Sequence, residues 1–256
     1  MQDQRAQFRV LLISLFFAGP LQAQTKETET LNQVWFGYFN QTRINTKWGT
    51  WADVHLRTKD DFFKGLSVGI ARVGITYFLN NQTRLLSGYA YVHNYPVAPH
   101  SSVSRPEHRP WQMILWNTKF PTLQLQQNLR LEERFRRKIL NEKTLAPGYN
   151  FNFRVRYAFQ LLIPLSDKPG TPGSSSFVFS DEVHINLGKE IIYNYFDQNR
   201  LFAGMSFQLT NTDQLQMGYT NIFLQLPAGN RFRNIHGIRL YYLQNLDLRK
   251  NLSAQQ

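Results

Sequence analysis

The chain has 256 residues, with 29 Lys and Arg against 17 Asp and Glu, a formal net charge of +12 and no cysteine. Without cysteine there are no disulfides and no thiolate metal sites, so a domain of this size has to be stabilised by its core or by closure of its sheet. No window reaches the roughly 18 consecutive apolar residues of a membrane helix, so the sequence does not predict a helical membrane protein.

The first 23 residues predict a secretory signal peptide. Arg5 and Arg9 precede an apolar run from Val10 to Ala18, and the small residue Ala23 follows. We expect cleavage after Ala23, which leaves residues 24–256 as one exported domain. In an exported protein the positive charge no longer indicates nucleic acid. The remaining partners are anionic lipids, anionic solutes, or carboxylates within the same chain.

Segments of alternating apolar and polar residues, typical of β-strands, follow along the mature chain. In Trp48–Thr58, Val54 and Leu56 lie on one face, and Asp53 and Arg57 lie on the other. About eleven candidates emerge, each near the nine to eleven residues of a tilted membrane strand. They are Val34–Ile44, Trp48–Thr58, Arg72–Leu79, Arg84–Tyr95, Trp111–Phe120, Leu123–Phe135, Tyr149–Ile163, Ser176–Gly188, Asn199–Thr210, Gln214–Leu224 and His236–Leu246.

Tight turns alternate with longer joins between these segments. The tight turns are Asn45-Thr46, Asn80-Asn81, Phe120–Thr122 and Asn211–Asp213, and the longer joins are Pro96–Pro110, Lys138–Gly148 and Leu165–Ser176. This rhythm is typical of an up-and-down barrel, and bacterial barrels of this type have an even strand number. We therefore expect ten or twelve strands, with Lys189–Phe196 as the place where a strand is misread.

The alternation alone fits both a soluble β-sandwich and a membrane barrel. Three features favour the barrel: long strand candidates, an exported chain without cysteine, and aromatic residues near segment ends, where interfacial girdles lie. These aromatic residues are Trp35, Trp48, Trp111, Trp116 and Tyr149. We predict an all-β fold, a single up-and-down antiparallel transmembrane β-barrel of 10 to 12 strands.

Charged residues concentrate on the polar strand faces, most densely in RLEERFRR, Arg130 to Arg137. The leucines before this stretch and Phe135 share one parity, which favours a strand over a helix. The predicted lumen charge network consists of Arg57, Arg72, Arg130, Glu132, Arg134, Arg136, Arg154, Arg156, Glu182, Arg200 and Arg239, with Asp53 and Glu107 as further carboxylate partners. Arginine suits such a place because its planar fork bridges carboxylates on neighbouring strands.

Several motifs resemble an outer-membrane β-barrel family of Bacteroidetes-type bacteria, known as domain of unknown function 2490. The most specific are EHRPWQ (Glu107 to Gln112), RLEERF (Arg130 to Phe135) and FDQNRLFAG (Phe196 to Gly204), and the resemblance covers nearly all of the mature chain. It implies a barrel in the outer membrane of a Gram-negative bacterium and brings no known catalytic residues. The chain departs from many outer-membrane barrels in its polar tail, KNLSAQQ, after the last predicted strand.

The EHRPWQ motif has two interpretations. Glu107, His108 and Arg109 form either a ligand site at the end of a long loop or the start of a strand. In the second and favoured interpretation Glu107 pairs with an arginine and Trp111 anchors the membrane interface. Glu107 and His108 are adjacent and leave a strand on opposite faces, so the sequence predicts no metal site here and no cofactor.

The leading function hypothesis is a narrow channel or binding barrel for anionic solutes or lipids, and the alternative is a barrel plugged by its own charge network. Expected partners are outer-membrane lipids including lipopolysaccharide and a small anionic solute, without nucleic acid. A lipid hydrolase or acyltransferase would need a serine near an oriented histidine. Candidates are His55, His93, His100, His108, His184, His236, Ser87, Ser101, Ser102, Ser104 and Ser180. No spacing connects them, so no catalytic activity is predicted.

Overall fold

The computed structural model describes residues 26–96 and 102–251, which form eleven strands and a short 3-10 helix, Leu248–Asn251. The strands are β1 (Glu27–Arg43), β2 (Trp48–Thr58), β3 (Leu66–Phe78), β4 (Thr83–Asn94), β5 (Arg105–Lys119), β6 (Gln124–Asn141), β7 (Thr144–Pro164), β8 (Ser175–Leu187), β9 (Phe196–Gln208), β10 (Asp213–Gln225) and β11 (Arg231–Asp247). Within these ranges no helix has the length and apolar content to cross a bilayer. The predicted signal peptide and the candidates His100 and Ser101 lie outside the described residues.

The strands close into one barrel, which confirms the predicted fold class. Consecutive strands pair antiparallel, and β1 pairs with β11 in parallel from Glu27↔Arg231 to Arg43↔Asp247. An odd number of up-and-down strands sends the first and last in the same direction, so the closing pair has to be parallel. The even strand number was therefore wrong. The eleven segments recognised by alternation match the eleven described strands, and residues 189–195 form a loop that ends where β9 begins.

The connections divide between two ends of the barrel. The turn end carries the four-residue turns 44–47, 79–82, 120–123 and 209–212, as well as the longer connection 165–174. The opposite end, here called the loop end, carries the connections 59–65, 95–104, 142–143, 188–195 and 226–230. The predicted alternation of short and long joins is thus only partly kept. Strands β5, β6 and β7 extend into two of the segments that were predicted as loops.

The first half of β1 extends beyond β2 and is capped by the last residue of β2 and by the connection between β2 and β3. The amide of Asn32 donates to Asp60 Oδ1 at 2.7 Å, and the amide of Val34 donates to Thr58 Oγ1 at 2.8 Å. The amide of Phe62 donates in turn to the Asn32 carbonyl at 3.3 Å. These bonds satisfy an edge that would otherwise offer unpaired backbone groups.

Two apolar clusters narrow the barrel interior. One consists of Trp51, Leu86, Ala90, Trp111, Met113 and Leu115, and the other of Leu31, Trp35, Ile222 and Ile235. The Trp111 indole lies over Gly74 and Gly88. A Cβ at Gly88 would stand 2.1 Å from the Val73 carbonyl oxygen and 2.8 Å from the indole. A side chain at that position would displace the tryptophan, so glycine is required there.

The outer face of the barrel is apolar, the reverse of a soluble sandwich. Val73 and Ile75 are 60% and 57% exposed, and Val54, Leu129 and Ile238 are also exposed. Trp48 and Tyr149 lie on this face as predicted, and the alternation in β5 places Trp116 on the same face.

Trp35 and Trp111 were wrongly assigned to the interfacial girdle. They are 4% and 1% exposed and lie inside the barrel. The cause is strand alternation, which directs both indoles inward, where the glycines of neighbouring strands leave room for Trp111 and an apolar cluster receives Trp35.

Candidate functional site

The barrel interior holds a cavity of about 530 Å³, bordered by side chains from all parts of the wall. Ten arginines and four carboxylates line it. The lining arginines are Arg57, Arg72, Arg109, Arg130, Arg134, Arg154, Arg156, Arg200, Arg233 and Arg239. Because the arginines outnumber the carboxylates, the partner of each one decides whether it is neutralised within the protein.

One set of charges forms a continuous network on β5 to β9, here called the ion-pair wall. Its members are Glu107, Arg109, Glu132, Arg134, Arg154, Arg156, Glu182 and Asp197. Every arginine in this set contacts at least one carboxylate at 2.9 Å or less. The wall therefore resembles the structural plug that the sequence left open as an alternative.

Glu107 lies at the loop-end part of the ion-pair wall, between two arginines. Arg109 donates from Nε and Nη2 to the two carboxylate oxygens at 2.6 and 2.9 Å. Arg134 donates from the same two nitrogens at 2.6 and 3.3 Å. With both forks bidentate and the carboxylate 1% exposed, this group is a fully paired buried cluster.

Glu132 forms the centre of the ion-pair wall. Arg156 Nη1 donates to Glu132 Oε1 at 2.6 Å, and Arg156 Nη2 donates to Glu182 Oε1 at 2.7 Å. Arg154 Nε donates to Glu132 Oε2 at 2.9 Å, while its Nη1 reaches Asp197 Oδ2 at 2.9 Å. Each of these two arginines thus links carboxylates on two different strands.

Two buried histidines also face carboxylates. His184 Nε2 lies 2.9 Å from Glu182, at the edge of the ion-pair wall. On the other side of the barrel, His55 Nε2 lies 2.9 Å from Asp53, and Arg72 Nε donates to the same Asp53 oxygen at 3.0 Å. The predicted partnership between Asp53 and an interior arginine is therefore present.

A second set of arginines contacts aromatic rings instead, around the seam between β1 and β11. The Arg57 guanidinium lies 3.7 Å from the Trp35 ring centre, and that of Arg200 lies 5.3 Å from the same ring. The Arg239 guanidinium lies 3.2 Å from the Phe202 ring centre. Arg57, Trp35, Arg200 and Arg239 are here called the seam site.

Carboxylates are scarce at the seam site. Within the described part of the chain, the one carboxylate within 4.0 Å of its three guanidiniums is Glu182, 3.7 Å from Arg200 Nη1. Glu182 is already shared with Arg156 and His184. The seam site therefore carries positive charge that the described residues do not neutralise.

Arg130 and Arg136 are intermediate between the carboxylate-paired arginines of the ion-pair wall and the arginines of the seam site. Arg130 is 7% exposed, stands 3.9 Å from Glu132 and donates to the Met113 sulfur, while its Nε and Nη1 find no hydrogen-bond acceptor among the described residues. Arg136 Nη2 donates to Asn152 Oδ1 at 2.7 Å. Neither residue belongs to the dense part of the ion-pair wall.

The motif Glu107, His108 and Arg109 lies within β5 and not in a loop. Glu107 and Arg109 point into the interior, and His108 points outward. His108 hydrogen-bonds to Tyr89 through Nδ1 and contacts the Tyr149 ring. This geometry agrees with the predicted strand start and with the predicted pairing of Glu107 with arginine. It disagrees with the predicted interfacial position of Trp111, which lies inside the barrel.

Sequence reasoning missed Asp197, which contacts Arg154 and His184. The pairing of β8 with β9 jumps from His184↔Gln198 to Ile185↔Phe196, so Asp197 is the extra residue of a β-bulge. A bulge breaks the alternation of faces, which explains why Asp197 and Gln198 both line the cavity. In the sequence, only the polar run Asp197-Gln198-Asn199 at the start of a strand could have indicated this bulge.

Comparison with known proteins gives one family and one structural likeness. The family described as "Protein of unknown function (DUF2490)" matches residues 32–233. A solved structure of the NanC porin in a rhombohedral crystal form is similar with a TM-score of 0.41 and 11% identity, covering 75% of this chain and 87% of the porin chain. No curated protein matches the chain. Since the family match spans most of the barrel, the chain belongs to the DUF2490 family.

Proposed function

We propose that this protein is an outer-membrane β-barrel whose arginine-lined interior admits and binds small anionic solutes. The surplus of arginine over carboxylate around the interior cavity is the observation that carries this proposal. A cavity bordered by one sign of charge and by low-dielectric walls concentrates ions of the opposite sign. The seam site contributes most of this field because its charges are not cancelled locally.

The outer face supports a place in a membrane. Exposed Val54, Val73 and Ile75 form an apolar band, which would be unfavourable against water but is suited to lipid. Toward the turn end Trp48 contacts Tyr77, and toward the loop end Tyr149 contacts His108. Amphipathic rings at both ends of an apolar band are typical of the two membrane interfaces. Outer-membrane lipids, including lipopolysaccharide, are therefore the proposed surroundings of the barrel in a Gram-negative cell.

The proposed role is not enzymatic. The buried histidines His55 and His184 each face a carboxylate that also contacts an arginine, as in a structural ion network. The outward His108 hydrogen-bonds to Tyr89. These partners favour a binding or transport function over general-base catalysis.

A plugged barrel is the second candidate function. The bidentate pairs of Glu107 and the two apolar clusters inside the barrel favour it, because both fill space that a solute would need. In this case the surplus arginines would hold only water and counterions.

Planar-bilayer recording of the refolded protein under a KCl gradient separates the two candidates. We expect conductance with a reversal potential on the anion-selective side. Cation selectivity would contradict the proposal. Absence of conductance at every voltage and salt concentration would remove the transport function and favour the plugged barrel.

A further inference from the structure

Closure of the barrel brings the seam site together from distant parts of the sequence. In the strand register, Trp35 on β1 is opposite Arg57 on β2 and also opposite Arg239 on β11. Neighbouring strands lie about 4.8 Å apart, so the Cα atoms of the two arginines stand about 10 Å apart with Trp35 between them. The parallel seam thus makes a row of arginine, tryptophan and arginine.

Trp35 is a fixed platform within this row. Its indole Nε1 donates to Gln33 Oε1 at 3.0 Å, and the ring packs in the cluster with Leu31, Ile222 and Ile235. A side chain that is both hydrogen-bonded and packed keeps one orientation. The guanidiniums that contact the ring of Trp35 are therefore held in place with it.

The arginines of the seam site keep donors that no protein acceptor uses. Arg57 Nε and Arg239 Nε are buried and have no hydrogen-bond acceptor among the described residues. Arg239 is oriented by Phe202, by Tyr241 at 4.7 Å and by a hydrogen bond from Nη2 to Gln216. Arg200 is oriented by a bond from Nε to Gln198 Oε1 at 2.8 Å. Contact with a ring occupies the face of a guanidinium and leaves its N–H edge available.

Arg57 and Arg200 share the Trp35 ring, and two cations on one ring in a low-dielectric interior repel each other. A cation–π contact offsets only part of the lost hydration, and buried arginine is normally matched by a carboxylate. On the ion-pair wall of the same barrel each arginine has such a carboxylate, whereas at the seam site only Arg200 has one within 4.0 Å among the described residues. The described residues supply no anion that balances this charge. An oxyanion would balance it, because guanidinium edges bind oxyanions bidentately.

We propose that the seam site binds a small solute that carries at least two negative oxyanion charges, such as a phosphate, a pyrophosphate or a dicarboxylate. Two guanidiniums about 10 Å apart at their Cα atoms, with a third across the ring, suit a multivalent anion better than chloride. This inference rests on the proposed function and names both the residues and the charge class of the solute.

Isothermal titration calorimetry of the refolded protein in detergent micelles tests the proposal, with inorganic pyrophosphate as the probe. We expect saturable binding that is tighter for pyrophosphate than for phosphate, with no saturable heat for chloride at matched ionic strength. Arg57→Gln and Arg239→Gln should each weaken pyrophosphate binding at least about tenfold. The matched control Arg136→Gln removes an interior arginine that bonds Asn152 and should change the affinity less than about twofold.

A second readout locates the bound anion. Pyrophosphate should change the tryptophan fluorescence of the wild type, and this change should vanish in Trp35→Phe while calorimetric binding persists in weakened form. The electrophoretic mobility of unheated samples verifies that every variant is folded. Equal pyrophosphate affinity in the wild type, Arg57→Gln and Arg239→Gln would overturn the seam site, as would the absence of saturable binding to the wild type.

The two proposals fail in different ways. Anion-selective conductance without pyrophosphate binding would overturn the seam site and leave the proposed function standing. Absence of both anion-selective conductance and pyrophosphate binding would overturn both proposals. Pyrophosphate binding that depends on Arg57 and Arg239, in a barrel without conductance, would support the seam site and replace transport by binding.

Discussion

The ion-pair wall and the seam site use the same residue type inside the same barrel but give it different partners. On the wall, Arg154 and Arg156 each contact two carboxylates. At the seam, Arg57 and Arg239 contact aromatic rings, and no described carboxylate lies within 4.0 Å of either. Paired arginines link neighbouring strands, and the unpaired ones keep their charge available to a solute. Counting arginines in a lumen therefore says little until their partners are known.

The largest expected effect comes from Glu132→Gln on the ion-pair wall. The change leaves Arg154 and Arg156 without their shared carboxylate, and breaking a buried pair destabilises by about 3–5 kcal/mol. Urea unfolding of the protein in lipid vesicles measures the difference. The adjacent Glu133→Gln serves as the control, because Glu133 lies on the opposite face of β6, and should change the free energy of unfolding by less than about 1 kcal/mol. Equal losses in the free energy of unfolding of Glu132→Gln and Glu133→Gln would contradict a special role of the ion-pair wall in stability.

A smaller loss in the free energy of unfolding is expected for Glu182→Gln. Glu182 lies where the ion-pair wall meets the seam site. Glu182 bonds one arginine closely, Arg156 at 2.7 Å, whereas Glu132 bonds both Arg154 and Arg156, so the expected destabilisation is about 1–3 kcal/mol in the same unfolding assay. Arg200 loses the one described carboxylate within 4.0 Å of it, and pyrophosphate binding should tighten about threefold or more. Weaker binding in this variant would show that Glu182 supports the seam arginines and does not compete for them.

The smallest effect on stability is expected for Arg57→Gln. The loss of its contact with Trp35, about 0.5–2 kcal/mol, is offset because no charge remains to be desolvated. The free energy of unfolding should therefore stay within about 1 kcal/mol of the wild type, although anion binding falls. A loss as large as that of Glu132→Gln would mean that Arg57 is structural and would contradict the comparison.

The alternation of apolar and polar residues was sufficient to predict most of the fold. It placed β2 at Trp48–Thr58 with the bounds that the structure has, and it directed Arg130, Glu132 and Arg134 inward. The wrong strand number came from a rule about barrels in general and not from the residues. Local pattern is reliable here because each strand has one apolar outward face and one polar inward face.

The site was less predictable because its contacts depend on features that alternation does not encode. Asp197 faces inward because of a bulge, and Trp35 was assigned to the interface because tryptophan is typical there. Arg57 is opposite Trp35 in the β1–β2 hairpin, but Arg239 becomes a neighbour of Trp35 only when β11 closes onto β1. The sequence indicated which residues are inside, but their partners depend on the register of closure.

The most direct test of the difference between the two regions is the reversal potential of the wild type, Arg57→Gln and Arg136→Gln in planar bilayers under the same KCl gradient. Each variant removes one interior positive charge, and in neither case does the lost guanidinium contact a carboxylate within 4.0 Å among the described residues. We predict anion selectivity for the wild type, a clear loss of it in Arg57→Gln and a smaller loss in Arg136→Gln. Equal shifts in the two variants, or none in Arg57→Gln, would contradict a specific role of the seam site.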